Sequence, residues 1–78
     1  MELFAAVQKV ISSTLRVPAE AVKQDSSADD LAAWDSLAHI NLMIALEETF
    51  DLQMEVEDFA TLNSVPAILA YLKKQGRS

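Results

Sequence analysis

Residues 35–51 read DSLAHINLMIALEETFD, and the spacing of the apolar side chains in this stretch decides the fold. Ser36, a hydroxyl residue ahead of a run of good helix formers, is suited to bond the unpaired amides of a first turn, so a helix is predicted from Ser36 to about Asp51. At about 100° per residue its apolar positions fall into two stripes rather than one. Leu42, Met43, Leu46 and Phe50 lie on one side, with His39 at that side's edge. Leu37, Ile40 and Ile44 lie roughly opposite. A chain of 78 residues has one core to offer. Either this helix is central and buried all round, or the second stripe is an exposed strip awaiting a partner. Glu47 and Glu48 border the second stripe, which favours exposure.

The flanking segments supply the elements that would pack on the first stripe. In residues 2–15, Leu3, Val7, Val10, Ile11 and Leu15 recur at helical spacing beside Phe4. That helix ends at Arg16-Val17-Pro18, because a proline disfavours helical geometry in the residue before it. Residues 18–35 form a long loop with a short turn at Pro18-Ala19-Glu20-Ala21-Val22, pinned to the bundle by Val22, Leu31 and Trp34. Residues 55–61, EVEDFAT, supply one short helix. A last helix has Asn63 or Ser64 as its cap, Pro66 in its first turn, and Val65, Ile68, Leu69 and Leu72 as its stripe. Lys73 and Lys74 suit its negative end, and Gly76 its stop. The expected architecture is all-α: a small four-helix bundle of three longer helices and one short one, with a long loop between helices 1 and 2, in a single domain of residues 1–78.

Composition narrows the function. The chain is 51% hydrophobic, which argues against disorder, while its longest nearly apolar stretch, Leu37 to Leu46, is too short to span a bilayer. There is no cysteine, hence neither a disulfide framework nor a thiolate zinc site, and MELFAAVQKV is unlike a signal peptide. A cytoplasmic location is expected. One glycine leaves no phosphate-cradling loop, and a net charge of -6 disfavours nucleic acid as a partner. The charge is also segregated: between Asp25 and Asp58 there are ten Asp or Glu and no Lys or Arg. Such a field suits the steering of basic partners.

Trp34-Asp35-Ser36-Leu37, followed by ALEETFD at 45–51, resembles the attachment site of acyl carrier proteins, and the likeness extends over nearly the whole chain. The resemblance implies that Ser36 Oγ anchors 4'-phosphopantetheine, transferred from coenzyme A by a separate phosphopantetheinyl transferase using Mg²⁺. It implies that Asp35 helps that enzyme bind and order the site, and that Leu37, Ile40, Ile44, Glu47 and Glu48 form the recognition face. The implied function is to carry thioester-linked acyl or aminoacyl intermediates, with no catalysis of its own. An acyl- or aminoacyl-loading ligase would load the arm, and synthase or transferase enzymes of lipid, polyketide or specialised metabolism would unload it. The chain is expected to act as a monomer. Carriers of primary fatty-acid synthesis usually have further acids on the second helix, whereas positions 38 and 41 here are Ala and Asn. Trp34 and SLAHINL are more similar to discrete carriers beside specialised pathways.

Three other readings of the same residues lead elsewhere. Ser36, His39 and Asp35 could act as nucleophile, base and orienter, but no glycine elbow or oxyanion loop accompanies them. The acids lack the alternating ligands and central glycine of a calcium loop, so no metal site is expected. A non-enzymatic adaptor binding partners through the exposed strip of helix 2 is the alternative to a carrier. In either case the uncompensated acids from Asp25 to Asp58 repel one another, so moderate salt or millimolar Mg²⁺ will raise the melting temperature. A flat or falling response in thermal melts would show that these charges are already compensated within the fold.

Overall fold

Four α-helices and one 3-10 turn account for the regular structure of residues 3–76, which are the residues described by the computed structural model of the chain. They are α1 (Leu3–Leu15), α2 (Ser36–Phe50), the short α3 (Val56–Thr61) and α4 (Val65–Lys74), with the 3-10 turn at Ala19–Ala21. Glu2, with which the expected first helix begins, lies outside the described residues.

The three longer helices each bury a stripe that their spacing indicates. Val7, Ile11 and Leu15 of α1, Leu42, Met43 and Leu46 of α2, and Val65, Ile68 and Leu72 of α4 form the core. Val22, Trp34 and Leu62 close it from the connecting segments, and Phe50, Leu31 and Leu69 pack on its margin. α1 ends where expected: Arg16 turns into the left-handed region (φ 59) just before Val17-Pro18. The 3-10 turn is held on α1 by Gln8, whose side-chain amide donates to the carbonyls of Ala19 (2.7 Å) and Val22 (2.9 Å).

The long loop is strapped to the far end of the chain by its backbone as well as by its apolar side chains. Val65 N–H donates to Ser26 C=O (2.8 Å) and Ala28 N–H to Asn63 C=O (2.9 Å), making an antiparallel bridge between Ser27 and Ser64. Ser26 is buried, and its hydroxyl accepts the Lys23 amide at 2.8 Å. The loop therefore satisfies its inward-facing polar groups while crossing the junction of α3 and α4.

One detail at α2 departs from expectation. The N-cap is Asp35 rather than Ser36: Asp35 is extended (φ -89, ψ -175), and its Oδ1 accepts the Ala38 amide at 2.8 Å. Asp and Ser are comparable caps, so the dipeptide leaves two starting registers open. A carboxylate also meets the positive end of the helix dipole, which favours the register with Asp35 outside and Ser36 as the first helical residue. At the other end Asp51 is left-handed (φ 53) and its N–H reaches Glu47 C=O. Of the two caps the sequence offers for α4, Asn63 and Ser64, it is Ser64 whose Oγ accepts the Ala67 amide, at 3.2 Å, with Pro66 in the first turn.

α3 is too short to be stable alone and depends on ties to its neighbours. Asp58 accepts the Glu55 amide at 2.9 Å, and its carboxylate lies close enough to the Tyr71 phenol of α4 to act on its ionisation. Burial, and then the adjacent Asp58 carboxylate, hold the Tyr71 phenol above its ordinary value. The folded state thus favours the neutral phenol. Its contribution to stability is full below the unfolded value of 10.0 and is lost as pH rises through the higher folded value. Thermal melts at pH 9 to 11 will show a steeper loss of stability for the wild type than for Tyr71→Phe; parallel curves would show that this contact contributes nothing.

The two stripes of α2 make opposite predictions for substitution. Leu46 is fully buried, and truncating such a side chain alone costs about 2–5 kcal/mol. Introducing a charge there adds its burial, so Leu46→Asp will unfold the protein. Ile44 is 44% exposed, and Ile44→Asp will leave the helical circular-dichroism spectrum and cooperative melt in place. Equal loss of structure in both variants would place Ile44 in the core.

Candidate functional site

The start of α2 brings together the residues that the sequence singles out. Ser36 is exposed at the first helical position. Asp35, by capping the Ala38 amide, anchors the helix without involving the Ser36 hydroxyl. The amides of the first turn point out of the helix end, and the dipole makes this end positive, so an oxygen-linked phosphate at Ser36 would sit where an anion is stabilised. Ser36 borders an open cleft of about 400 Å³, lined by Trp34, Ser36 and His39 around the start of α2 and by Phe59, Ala60 and Asn63 from α3 and the turn after it.

His39 sits at the edge of the core as its stripe position indicates, and both of its ring nitrogens are engaged. Nδ1 accepts the indole N–H of Trp34 at 2.9 Å, and Nε2 is bonded to the Phe59 carbonyl oxygen. An indole N–H can only donate and a carbonyl can only accept, so the partners assign a neutral imidazole with its proton on Nε2. The Trp34 and His39 rings are stacked, 6.2 Å apart at 26°. Trp34 is buried, and leaving its N–H without an acceptor would cost about 1–3 kcal/mol. This arrangement separates the three residues of the hydrolase-like reading: His39 has no nitrogen left to take a proton from Ser36, and Asp35 is occupied as a cap. Among the described residues no cluster of His, Asp or Glu is arranged to hold a metal ion.

The exposed strip runs down α2 from Ser36. Leu37 is 71% exposed, Ile40 48% and Ile44 44%. Glu48 is exposed, whereas Glu47 is half-buried and turns its Oε2 to the Met54 amide (2.8 Å), closing the turn after α2. Asp35 and Glu48 therefore face solvent, while Glu47 combines its charge with a structural bond. Val56, 85% exposed at the start of α3, is a further apolar residue that the sequence reading does not single out. Its position in a short helix without a clear stripe left no signal. The acids from Asp25 to Asp58 lie on the loop, α2, α3 and the turns between them, while the described basic residues Lys9, Arg16, Lys23, Lys73 and Lys74 lie on α1, the segment just after it and the end of α4.

Comparison with known proteins agrees with this geometry. The family described as "Phosphopantetheine attachment site" matches residues 5–72. The chain is 38% identical over 79 residues to the acyl carrier protein of Bdellovibrio bacteriovorus, covering 100% of both. It is 39% identical over 72 residues to the acyl carrier protein of Clostridium acetobutylicum, covering 91% of this chain and 92% of that one. In three dimensions it superposes on the solution structure of a holo acyl carrier protein from Geobacter metallireducens with a TM-score of 0.81, over 95% of this chain and 85% of that one. At 24% identity, that likeness speaks for the four-helix fold. The match runs from α1 into α4 and the relatives are similar along nearly their full length, so the chain belongs to the phosphopantetheine-attachment family.

Proposed function

We propose that Ser36 is the residue that carries 4'-phosphopantetheine and that the whole of residues 1–78 acts as one monomeric carrier of acyl or aminoacyl thioesters in the cytoplasm. The observation that carries this reading is the exposed Ser36 hydroxyl at the first position of a helix that its neighbour already caps. In the modification the Ser36 oxygen bonds to the phosphorus next to the pantetheine of coenzyme A. The pyrophosphate bond breaks, adenosine 3',5'-bisphosphate leaves, and the hydroxyl proton passes to a base of the phosphopantetheinyl transferase. When bound, the arm supplies a terminal thiol for thioester linkage. The chain itself supplies the anchor, a positive helix end for the phosphate and a surface that partners recognise.

Leu37, Ile40 and Ile44 form the apolar centre of that surface, and Asp35, Glu47 and Glu48 its acidic rim. A partner docked on the strip has Ser36 at one end of its footprint, which links recognition to delivery. The relatives are named acyl carrier proteins. Ala38 and Asn41 leave the outer part of α2 with less negative charge than carriers of primary fatty-acid synthesis usually have. A dedicated ligase of a specialised pathway is therefore the expected loading enzyme, followed by a synthase or transferase that removes the cargo.

Incubation with coenzyme A, Mg²⁺ and a broad-specificity transferase will add the mass of one phosphopantetheinyl group to the wild type and none to Ser36→Ala. Because Ser36 is not the cap, that variant will keep the wild-type melting temperature, whereas Asp35→Ala will lose about 0.5–2 kcal/mol of stability. Modification of Ser36→Ala at another serine would overturn the assignment, and an unmodifiable wild type would favour a plain adaptor.

Ile44→Asp will remain folded and yet be modified and loaded far more slowly than the wild type. Charge reversal at Glu48 will slow association, with the difference shrinking as salt rises. Wild-type kinetics for both variants would place the recognition face elsewhere.

A further inference from the structure

His39 is joined through its ring to two of the segments that surround Ser36. α3 ends at Thr61, so the Phe59 carbonyl is one of the last carbonyls of a helix, which have no partner within it. His39 Nε2–H supplies that partner. On the opposite edge of the ring, Nδ1 holds the indole N–H of Trp34, the residue immediately before the Asp35 cap. The backbone amide of His39 in turn donates to the Asp35 carbonyl at 2.8 Å. His39 lies three positions after Ser36, which is nearest-neighbour spacing on a helix, and both residues line the same cleft.

We propose that His39 is a positioning residue for arm attachment: its neutral imidazole joins the Trp34 loop, the first turns of α2 and the end of α3 into one frame that fixes the orientation of Ser36. The proposal rests on Ser36 being the attachment site and adds a role for a residue that does not itself touch the reacting atoms. Without the imidazole, Trp34 loses its acceptor, the segment entering the Asp35 cap loosens, and the α3 wall of the cleft loses its bond to α2. The strip of Leu37, Ile40 and Ile44 keeps its place on α2, so partner docking survives while presentation of the hydroxyl suffers.

The test compares arm transfer from coenzyme A to the wild type, His39→Leu and His39→Gln. Leucine fills space and makes neither bond, whereas glutamine retains one acceptor and a donor. For His39→Leu we expect kcat to fall about tenfold, the scale of a modest misalignment of reacting groups, with KM little changed. His39→Gln will recover most of that loss. The only tryptophan and the only histidine of the chain give a matching spectroscopic signature. In the wild type, nitrogen-15 spectra will show Nδ1 unprotonated and Nε2 protonated, and the indole N–H will exchange with solvent more slowly than in His39→Leu.

Wild-type kcat in His39→Leu, a loss confined to KM, or glutamine no better than leucine would overturn the proposal while leaving the Ser36 reading intact. A proton on Nδ1 in the wild type would overturn it even if the leucine variant failed to fold. A wild type that accepts no arm would remove the Ser36 reading, and this proposal with it.

Discussion

A helix that is apolar on two sides, in a chain with one core, is the constraint from which the rest of this structure follows. Leu42, Met43 and Leu46 are fully buried beneath α1, α4 and the connecting segments. With these helices gathered on one side of α2, Leu37, Ile40 and Ile44 remain exposed on the other. Exposed apolar side chains at helical spacing bring a cost in solubility, which the surrounding acids offset through net charge. The same acids give the strip an electrostatic identity. Core formation and an exposed apolar strip are thus two consequences of one helix's periodicity, and Ser36 lies at the start of both stripes.

The beginning of α2 is specified with comparable economy. Asp35 caps the helix, and this leaves the neighbouring serine exposed and free of the capping role. His39, one turn on, satisfies the indole of Trp34 and an end-of-helix carbonyl of α3. A serine that had to cap the helix itself would have its oxygen directed toward the helix amides; Ser36, just inside the cap, is exposed and spared that role. The local geometry is therefore compatible with covalent modification of the hydroxyl without unravelling the helix that presents it.

Much of this was legible in the residues. The stripes of α1 and α4, the division of α2 into two faces, the proline that ends α1 and Pro66 in the first turn of α4 all rest on local periodicity or backbone sterics, which a sequence displays directly. The capping register of α2 was not legible, because Asp and Ser are both good caps and the choice depends on charge at the helix end. Nor was the bridge between Ser27 and Ser64, which is made by backbone atoms and leaves no side-chain pattern. In the sequence Glu47 shows only its charge beside the apolar strip, whereas its bond to the Met54 amide, which closes the turn after α2, depends on the folded path of the chain. His39 could be placed at the edge of the core by its position in the stripe, but its partner Phe59 lies on a helix too short to announce its packing.

Attachment of the arm comes down to one oxygen atom, which a proton–phosphorus correlation spectrum of the arm-bearing protein identifies. A single phosphodiester resonance coupled to the β protons of Ser36 is expected. Coupling to the β protons of any other serine or threonine would contradict it.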